Sequence, residues 1–383
     1  MRICVFWEYF QHYHCARVRA LINASHQFGA ELFPISISGV ASGVHSSKID
    51  SDIHEHVTIL CKDPRENPMD SSLVSSQLLG FIKTKKIDVV FVIGWSSKIS
   101  RAVVSKAKYL GCRVVLMLEG QKKDRKRVFW KEAYKRFYFM RKVDAVFCGG
   151  KTHASYARWL GFSSEKIFTG YDAVDNRFWS NLATKARLHE SVIRKQLNLE
   201  QSYFVASGRF VEKKNFVGLL TAYAKYLKIS NSPKLNLIII GDGPLRGKIE
   251  ATIDKYGLSS RVMLPGYLDP SEIAKFFSFA AAFIMSSSHY EQWGLVVNEA
   301  MACGLPVIVS DICGCAPDLL SNGKNGFTYA ANDLDQLTDL MSLIGSNKID
   351  LCAMGRSSSL IIEKYGLNQF TESFYKAAQV AIE

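Results

Sequence analysis

The sequence predicts an α/β protein with two parallel, doubly wound sheets in tandem. Short runs such as 88–93 (DVVFVI) and 113–118 (RVVLML) are apolar without interruption, which is typical of parallel strands buried on both faces. Longer amphipathic stretches separate these runs, as in alternating strand–helix folds. The alternation begins again after residue 200, and 383 residues are enough for two domains.

The first half contains six predicted strands and four predicted helices. The strands lie at 3–6, 32–37, 57–60, 88–93, 113–118 and 145–148. The helices lie at 15–28, 71–84, 99–110 and 126–142, where apolar residues recur at the helical period. The polar segment 176–198 breaks this rhythm, so we expect a linker there and a first domain at 1–180.

The second half repeats the pattern, which places a second domain at 199–365. Strands are predicted at 204–207, 237–240, 262–264, 281–285 and 306–309. Helices are predicted at 216–228, 244–256, 295–303 and 334–344. A last amphipathic helix is predicted at 367–382.

Composition and charge exclude several classes of protein. A hydrophobic fraction of 48% excludes a mainly disordered chain, and no run of eighteen apolar residues could span a membrane. Nine cysteines without a CxxC pair favour a reducing, cytoplasmic location. The net charge of +13 is local, because residues 98–142 hold 15 Lys and Arg against three acidic residues.

Charged residues and glycines follow the strands of the second half, at the edge where open parallel sheets bind ligands. Gly208 and Arg209 follow strand 204–207, and Lys214 precedes the next helix. Two cations beside a helix N-terminus suit a diphosphate, and an ordinary basic loop is the alternative. Gly241-Asp242-Gly243 indicates a tight strand-to-helix turn.

The segment 286–306 (SSSHYEQWGLVVNEAMACGLP) carries the strongest signal. Glu299 lies among apolar residues, so its carboxylate needs a hydrogen-bonding partner, and a ribose diol would serve. The N–H groups at Gly294 and Leu295 would meet a phosphate, and Glu291 could reach sugar hydroxyls. A capping acid with a helix–helix salt bridge is the alternative reading.

Taken together, these motifs resemble the retaining glycosyltransferases of the GT-B fold, family 4 (group 1). The resemblance rests on Glu291-x7-Glu299 with Gly294 between them, the run 299–307 (EAMACGLPV), the glycine turns described above, and Asn325-Gly326-Phe327. It is dense over residues 200–345. It implies two Rossmann-like domains facing across a cleft, with the acceptor on the first and the nucleotide-sugar donor on the second. The helix at 366–383 would pack back on the first domain.

The resemblance also implies roles for individual residues. Arg209 and Lys214 would bind the donor diphosphate, Glu291 the sugar hydroxyls, and Glu299 the ribose. The other donor-binding positions are Gly208, Gly241, Trp293, Gly294 and Leu295, and the segment 262–267 would lie near the base. The family generally needs no bound metal or cofactor. We also reject a metal site at His12-x-His14 or His54-x-His56, since two ligands do not make one.

The first half departs from the family at two places. Its first strand is followed by a loop without glycine, so Glu8, His12 and His14 are the candidates for contacts there. Many members have a histidine after a middle strand, whereas this chain has Glu119, which is our candidate beside the donor sugar, with Asp124 as a second. A solvated loop acid is the alternative for Glu119. The catalytic candidates are Glu291, Glu119, Arg209 and Lys214.

The helix at 121–142 combines basic and aromatic residues, which is typical of helices that lie on anionic membranes. The membrane-facing candidates are Lys126, Arg127, Phe129, Trp130, Lys131 and Lys135. A core-facing apolar stripe with a solvated cationic back is the alternative, and a nucleic-acid groove would use similar residues.

The resulting expectation is a retaining hexosyltransferase that moves a sugar from a UDP- or GDP-sugar to an acceptor hydroxyl. The acceptor would be lipid-linked or a growing glycan of the cell surface, and the enzyme would sit at the inner face of the membrane. No nucleic-acid partner is expected. A nucleotide-sugar epimerase of the same fold, and a non-catalytic basic protein that binds membrane or nucleic acid, are the alternatives.

Overall fold

The computed structural model describes residues 1–39, 49–61, 70–122, 124, 127–229, 234–346 and 348–383. The chain divides into two compact units. Unit 1 consists of Met1–Asp175 with Tyr365–Glu383, and unit 2 consists of Asn176–Lys364. Each unit is built on one parallel sheet, as the sequence predicts.

Unit 1 holds a seven-stranded parallel sheet with the strand order β3-β2-β1-β4-β5-β6-β7. Its strands are β1 (Arg2–Trp7), β2 (Glu31–Ser38), β3 (Thr58–Cys61), β4 (Val89–Ile93), β5 (Arg113–Leu118), β6 (Ala145–Cys148) and β7 (Ile167–Thr169). Its helices are α1 (His12–Ser25), α2 (Ser71–Lys85), α3 (Lys98–Lys106), α4 (Phe129–Tyr134), α5 (Lys151–Trp159) and the C-terminal α15 (Leu367–Ile382). The sheet is apolar on both faces because helices cover both.

Helices α1 and α15 cover one face of this sheet. The Phe374 ring of α15 stacks on Phe91 of β4 with ring centroids 3.8 Å apart, and it also meets Phe147 of β6 edge-on. The Tyr375 hydroxyl donates to the Leu21 carbonyl of α1 at 2.6 Å. Helices α2, α3 and α5 contribute to the apolar core on the other face. The last helix of the chain is therefore part of the core of unit 1.

Unit 2 holds a six-stranded parallel sheet with the order β10-β9-β8-β11-β12-β13. Its strands are β8 (Tyr203–Ser207), β9 (Asn236–Ile240), β10 (Val262–Gly266), β11 (Ala282–Met285), β12 (Val307–Ser310) and β13 (Gly326–Tyr329). Its helices are α6 (Asn176–Leu188), α7 (Glu190–Gln196), α8 (Phe216–Lys228), α9 (Arg246–Lys255), α10 (Pro270–Phe279), α11 (Leu295–Ala302), α12 (Ala316–Leu319), α13 (Leu334–Gly345) and α14 (Leu351–Ile362).

The predicted linker at 176–198 is wrong. This segment forms α6 and α7, which belong to unit 2. Trp179 is buried against Phe277 of α10, and the Arg187 guanidinium donates to the Cys303 carbonyl at 2.6 Å. The buried positions Trp179, Ala183 and Ala186 do follow the helical period, but the many polar residues between them hide this pattern.

Two other boundaries differ from the prediction. Helix α1 begins at His12 and therefore takes in part of the loop predicted after β1. The helix predicted at 126–142 begins at Phe129 and passes after Tyr134 into a π-helical turn, Lys135–Phe139. Within the described residues, no helix is both long and apolar enough to cross a bilayer.

Candidate functional site

The glycine turns after β8 and β9 hold each other in place. Gly241 has φ 135°, and a Cβ there would lie 2.0 Å from the carbonyl oxygen of Gly208. The Gly208 N–H donates to the Ile240 carbonyl at 3.0 Å, and the Phe210 N–H donates to the Asp242 carbonyl at 2.8 Å. The Gly241-Asp242-Gly243 turn is thus a close backbone contact that fixes the loop carrying Arg209.

Arg209 is exposed at the tip of this loop, and it forms no ion pair within the described part of the chain. Lys214 lies at the other end of the same loop, and a Cβ on Gly208 would be 3.3 Å from its Cε. The two cations predicted to bind a diphosphate therefore differ in setting. Lys214 is held against the fold, and Arg209 is directed to solvent.

Glu291 is buried in the loop after β11, where two lysines bind it. The Lys214 ammonium lies 2.6 Å from its Oε2, and the Lys213 ammonium lies 2.8 Å from its Oε1. The Ser287 hydroxyl also donates to Oε2 at 3.2 Å. The structure thus joins Lys214 and Glu291, which are 77 residues apart in the chain.

The charge on Glu291 is stabilised by these lysines. Burial raises the pKa of its carboxyl group, but the charges and hydrogen bonds of Lys214 and Lys213 outweigh that effect, so the net pKa lies below the ordinary value. Glu291 is consequently ionised at neutral pH and can accept hydrogen bonds from sugar hydroxyls.

Helix α11 begins beside this carboxylate. Gly294 is its N-cap with φ 103°, and a Cβ there would meet Met285 at 3.2 Å and Glu291 at 3.6 Å. The indole N–H of Trp293 donates to Asn298 at 2.8 Å, which locks the entry to the helix. Helix N-termini offer backbone N–H groups and a positive dipole end to anions. The Glu291 carboxylate, which binds Lys214, therefore lies beside the N-terminus of α11.

Glu299 lies in the second turn of α11 and is buried. Backbone bonds from Gly314 and Cys315 to the carbonyls of Glu291 and Trp293 tie the start of this helix to the loop after β12. The motif at 325–327 is structural here. The buried Asn325 accepts from the Ser321 N–H at 2.8 Å and donates to the Leu319 carbonyl at 2.9 Å, and a Cβ on Gly326 would lie 1.9 Å from the Val307 carbonyl oxygen.

Several residues of this site were missed by the sequence reasoning. They are Lys213, Ser286, Ser287 and Asn298. Lys213 is adjacent to Lys214 in the sequence, and a run of three serines directly follows a buried strand. These two local signals could have identified the lysine and the serines. The pairing of Asn298 with Trp293 depends on the helix N-cap geometry.

The candidates after β1 separate into exposed and buried groups. Glu8 and His12 are exposed, whereas His14 is buried in the first turn of α1. The Gln11 N–H donates to Nδ1 of His14 at 3.1 Å, so the His14 ring caps the helix. Burial, with the nearby charges of Arg17 and His12, holds the pKa of His14 well below its ordinary value. His14 is therefore a neutral capping residue.

Glu119 follows β5 and lies beside a buried polar cluster made of Tyr13, Arg17, Tyr171 and Asp172. The Arg17 guanidinium carbon lies 4.9 Å from the ring centroids of both tyrosines, and one of its nitrogens lies 3.9 Å from the Asp172 carboxylate. Burial and the Glu119 charge raise the pKa of Asp172 well above its ordinary value, and Arg17 opposes them. Nothing local in the sequence marks Asp172 as part of this cluster.

Two of the membrane-facing candidates point inward, so that part of the prediction is wrong. Lys135 is 1% exposed, and its ammonium lies 3.1 Å from both Glu132 oxygens, 2.5 Å from the Tyr156 hydroxyl, and over the Trp95 ring. Arg127 donates to Glu132 at 3.2 Å and to Tyr156 at 2.9 Å. The buried Glu132 carboxylate requires such partners. Lys135 and Arg127 therefore point toward it and not toward solvent.

Asp124 is bound into the same cluster. Its carboxylate lies 2.5 Å from the Arg127 guanidinium and accepts from the Gln121 N–H at 3.1 Å. Asp124 therefore stabilises the loop after β5, and its predicted role beside the donor sugar has no support in these contacts. The loop and α4 are thereby fastened to α5 through Tyr156.

Five aromatic residues of this segment face outward. Phe129 is 74% exposed and Trp130 is 78% exposed, and Lys131 is exposed beside them. Tyr134, Phe137 and Tyr138 are also exposed. Lys126 lies outside the described residues. His54 and His56 lie in a short 3-10 turn, and no group of three or more potential metal ligands occurs in the part of the chain that the structure describes.

The two parallel sheets define the GT-B fold, and solved structures of that fold are similar over nearly the whole chain. Anabaena HepE, solved in complex with UDP, has a TM-score of 0.74 at 14% identity, with 97% of this chain and 98% of that chain covered. A sucrose-phosphate synthase from Thermosynechococcus elongatus has a TM-score of 0.74 at 17% identity, with 98% of this chain and 97% of that chain covered.

Residues 190–358 match the family described as glycosyl transferases group 1, so unit 2 carries a glycosyltransferase group 1 domain. A poly(glycerol-phosphate) alpha-glucosyltransferase of Bacillus subtilis is 27% identical over 47% of this chain and 26% of its own length. An alpha-monoglucosyldiacylglycerol synthase of Acholeplasma laidlawii is 25% identical over 47% of this chain and 44% of its own length. These matches thus span less than half of each relative.

Proposed function

We propose that this protein is a retaining glycosyltransferase that moves a sugar from a UDP- or GDP-sugar to an acceptor hydroxyl. One observation carries the proposal: the Lys214–Glu291 pair lies beside the first turn of α11, inside the stretch that matches the glycosyl transferases group 1 family. The named relatives are transferases and synthases, which favours sugar transfer over epimerisation.

The charges at this edge of the sheet suit the departure of a nucleoside diphosphate. In the reaction, the bond from the anomeric carbon to the diphosphate oxygen breaks, and the acceptor oxygen bonds to that carbon. Negative charge grows on the leaving diphosphate, where Arg209, Lys214 and the N-terminus of α11 would stabilise it. The departing phosphate takes the hydroxyl proton, so retention needs no protein nucleophile.

Donor binding would also rearrange the Lys214–Glu291 pair. The two side chains satisfy each other at 2.6 Å. A diphosphate would compete for Lys214, while Lys213 would keep Glu291 compensated at 2.8 Å. Glu291 would then be available for the sugar hydroxyls without becoming an isolated buried charge.

A donor panel of UDP-, GDP- and ADP-sugars tests the proposal by calorimetry and by product formation. UDP-sugars are the first choice, because the similar Anabaena structure holds UDP. Arg209→Ala and Glu299→Ala should each weaken donor binding about 10- to 100-fold, the value of a charge-assisted hydrogen bond. Arg356→Ala, an exposed arginine of α14, is the matched control. If no nucleotide sugar binds to the unaltered protein, the proposal fails.

We further propose a glycolipid or lipid-linked glycan acceptor and a position at the cytoplasmic face of the membrane. The exposed Phe129 and Trp130, with Lys131 beside them, are the support, since aromatic and basic residues on one helix suit a bilayer interface. Flotation with anionic vesicles should show binding that weakens with salt. Absence of such binding would contradict this part of the proposal.

A further inference from the structure

A cationic pocket lies in unit 1 near the end of the helical segment 129–142, which carries the exposed aromatic residues. It has a volume of about 450 Å³ and is lined by Lys108, Arg136, Arg141 and Lys166, with Asp144 and Phe137. These residues come from the segments that precede β5, β6 and β7. The pocket is therefore at the amino ends of the strands, the opposite edge from Glu119.

The charge in this pocket is not balanced by its own carboxylate. Asp144 is already bound, because Arg113 lies 3.4 Å and Lys108 lies 3.6 Å from Oδ1, and the Val114 N–H donates to Oδ2 at 2.8 Å. Arg136, Arg141 and Lys166 form no ion pair with any residue in the described ranges. Three cations without an ion-pair partner around one cavity attract a multivalent anion.

The shape of these groups suits a phosphate. Guanidinium groups bind phosphate through two parallel N–H bonds, and Arg136 and Arg141 both line the cavity. Gly161 faces Arg136, and a Cβ there would lie 3.5 Å from its Nε. A Cβ at position 161 would therefore be in ordinary van der Waals contact with that guanidinium.

Exposed aromatic side chains precede this pocket along the chain. Trp130 and Tyr134 of α4 and Phe137 of the following π-helical turn are all exposed. The Tyr134 and Tyr138 rings stack with centroids 5.0 Å apart. Phe137 is 61% exposed and also lines the pocket. An anion in the pocket would therefore lie beside the Phe137 ring, which is open to solvent.

This juxtaposition distinguishes an amphiphile from a soluble anion. A soluble phosphate would need only the cations, whereas a phospholipid presents a phosphate and an apolar chain side by side. We propose that the pocket binds the phosphate of an anionic phospholipid while Phe137, Tyr134 and Trp130 enter the bilayer interface. This inference rests on the proposed membrane docking and names the lipid group that the docking surface recognises.

Two neighbouring cations provide a matched comparison. Arg141 lines the pocket, whereas Lys142 lies over the Tyr138 ring at 4.2 Å and is not part of the lining. The variants Arg141→Gln and Lys142→Gln remove the same charge at adjacent positions. The backbone carbonyl of Arg141, which accepts from Lys108, is kept in both. Circular dichroism and thermal unfolding verify that both variants fold.

Binding is measured by flotation with phosphatidylcholine vesicles in which about a third of the lipid is phosphatidylglycerol. Lys142→Gln should lower the partition coefficient by about fivefold or less, the general effect of one surface charge. Arg141→Gln should lower it by more than about tenfold, because a paired phosphate contact is also lost. Arg141→Lys keeps the charge and loses the planar fork, so it should still bind several-fold more weakly than the natural protein.

Equal losses in the two glutamine variants, or full binding by Arg141→Lys, would overturn the proposal in favour of diffuse attraction. The pocket would be assigned to a soluble anion if the protein binds inorganic phosphate but Arg141→Gln loses no more vesicle binding than Lys142→Gln. That result would also overturn the proposal. UDP binding by unit 2 is measured on the same variants and should be unchanged. A failure of donor binding in the unaltered protein would contradict the proposed transferase function and leave the vesicle comparison intact.

Discussion

Replacement of Gly241 by alanine tests whether the two glycine turns hold the candidate donor site. A Cβ at this position would lie 2.0 Å from the Gly208 carbonyl oxygen, and the backbone φ of 135° is one that only glycine adopts readily. The turn must therefore move, and the loop that carries Arg209 must move with it.

The loss of stability caused by Gly241→Ala can be derived from the contacts around the turn. Keeping the backbone in place costs about 1–3 kcal/mol of strain for a residue with a side chain. Moving it breaks the bonds from Gly208 to Ile240 and from Phe210 to Asp242, which contribute about 1 kcal/mol each. Either route costs about 2–3 kcal/mol, so we expect Gly241→Ala to lower the free energy of unfolding of unit 2 by that amount, or its Tm by about 5–10 °C.

Gly247→Ala is the matched control, because a Cβ at that position of α9 meets nothing within 4 Å. This control should be neutral or should stabilise the helix by up to about 1 kcal/mol. Thermal and urea unfolding, followed by circular dichroism, give the comparison, and UDP binding should fall in Gly241→Ala alone. Equal unfolding free energies for the two variants would refute the reasoning.

Two further outcomes follow from the buried charges. Burial keeps the pKa of His14 well below its ordinary value, so the unfolded chain binds a proton that the folded chain excludes. Stability should therefore fall as the pH drops below about 6.5, by up to about 1.4 kcal/mol per pH unit. Urea unfolding at pH 7 and pH 5 should show a shallower dependence in His14→Gln, and identical slopes would contradict this account. Lys135→Ala should destabilise unit 1 by about 3–5 kcal/mol because Glu132 loses its buried partner. The exposed Lys131→Ala on the same helix should change stability by less than about 0.5 kcal/mol, and similar losses in both variants would argue against a buried ion pair.

The sequence predicts the sheets well because central parallel strands are buried on both faces. Runs such as 89–93 and 113–118 are almost entirely apolar because they are buried, and both form strands of the sheet of unit 1. The edge strand β7 has only three residues, so its pattern is too short to read. The helix at 367–382 is strongly amphipathic and has the predicted bounds.

The candidate donor site is partly visible in the sequence for a local reason. Gly208, Gly241 and Gly294 all adopt positive φ or meet backbone closely, and such positions mark turns even in a single sequence. The pairing of Lys214 with Glu291 is not visible, because it joins loops from strands that are distant in the chain. The same holds for Asp172 and Glu119 in unit 1.

Lys135 illustrates a different limit of sequence reasoning. A lysine on an amphipathic helix is normally assigned to solvent, since buried lysines are rare. Here a π-helical turn begins at Lys135 and changes the phase of the helix, and Glu132 and Tyr156 satisfy its ammonium. Neither the turn nor the partner from α5 could be inferred from spacing at the regular helical period.

Helix α15 makes unit 1 a discontinuous domain into which unit 2 is inserted. On the ribosome, residues 1–175 emerge long before the helix whose Phe370 and Phe374 cover Phe91 and Phe147. The part of the first sheet that α15 covers therefore stays exposed during synthesis, while unit 2 can complete its own continuous core. Unit 2 is thus free to fold before the core of unit 1 is complete.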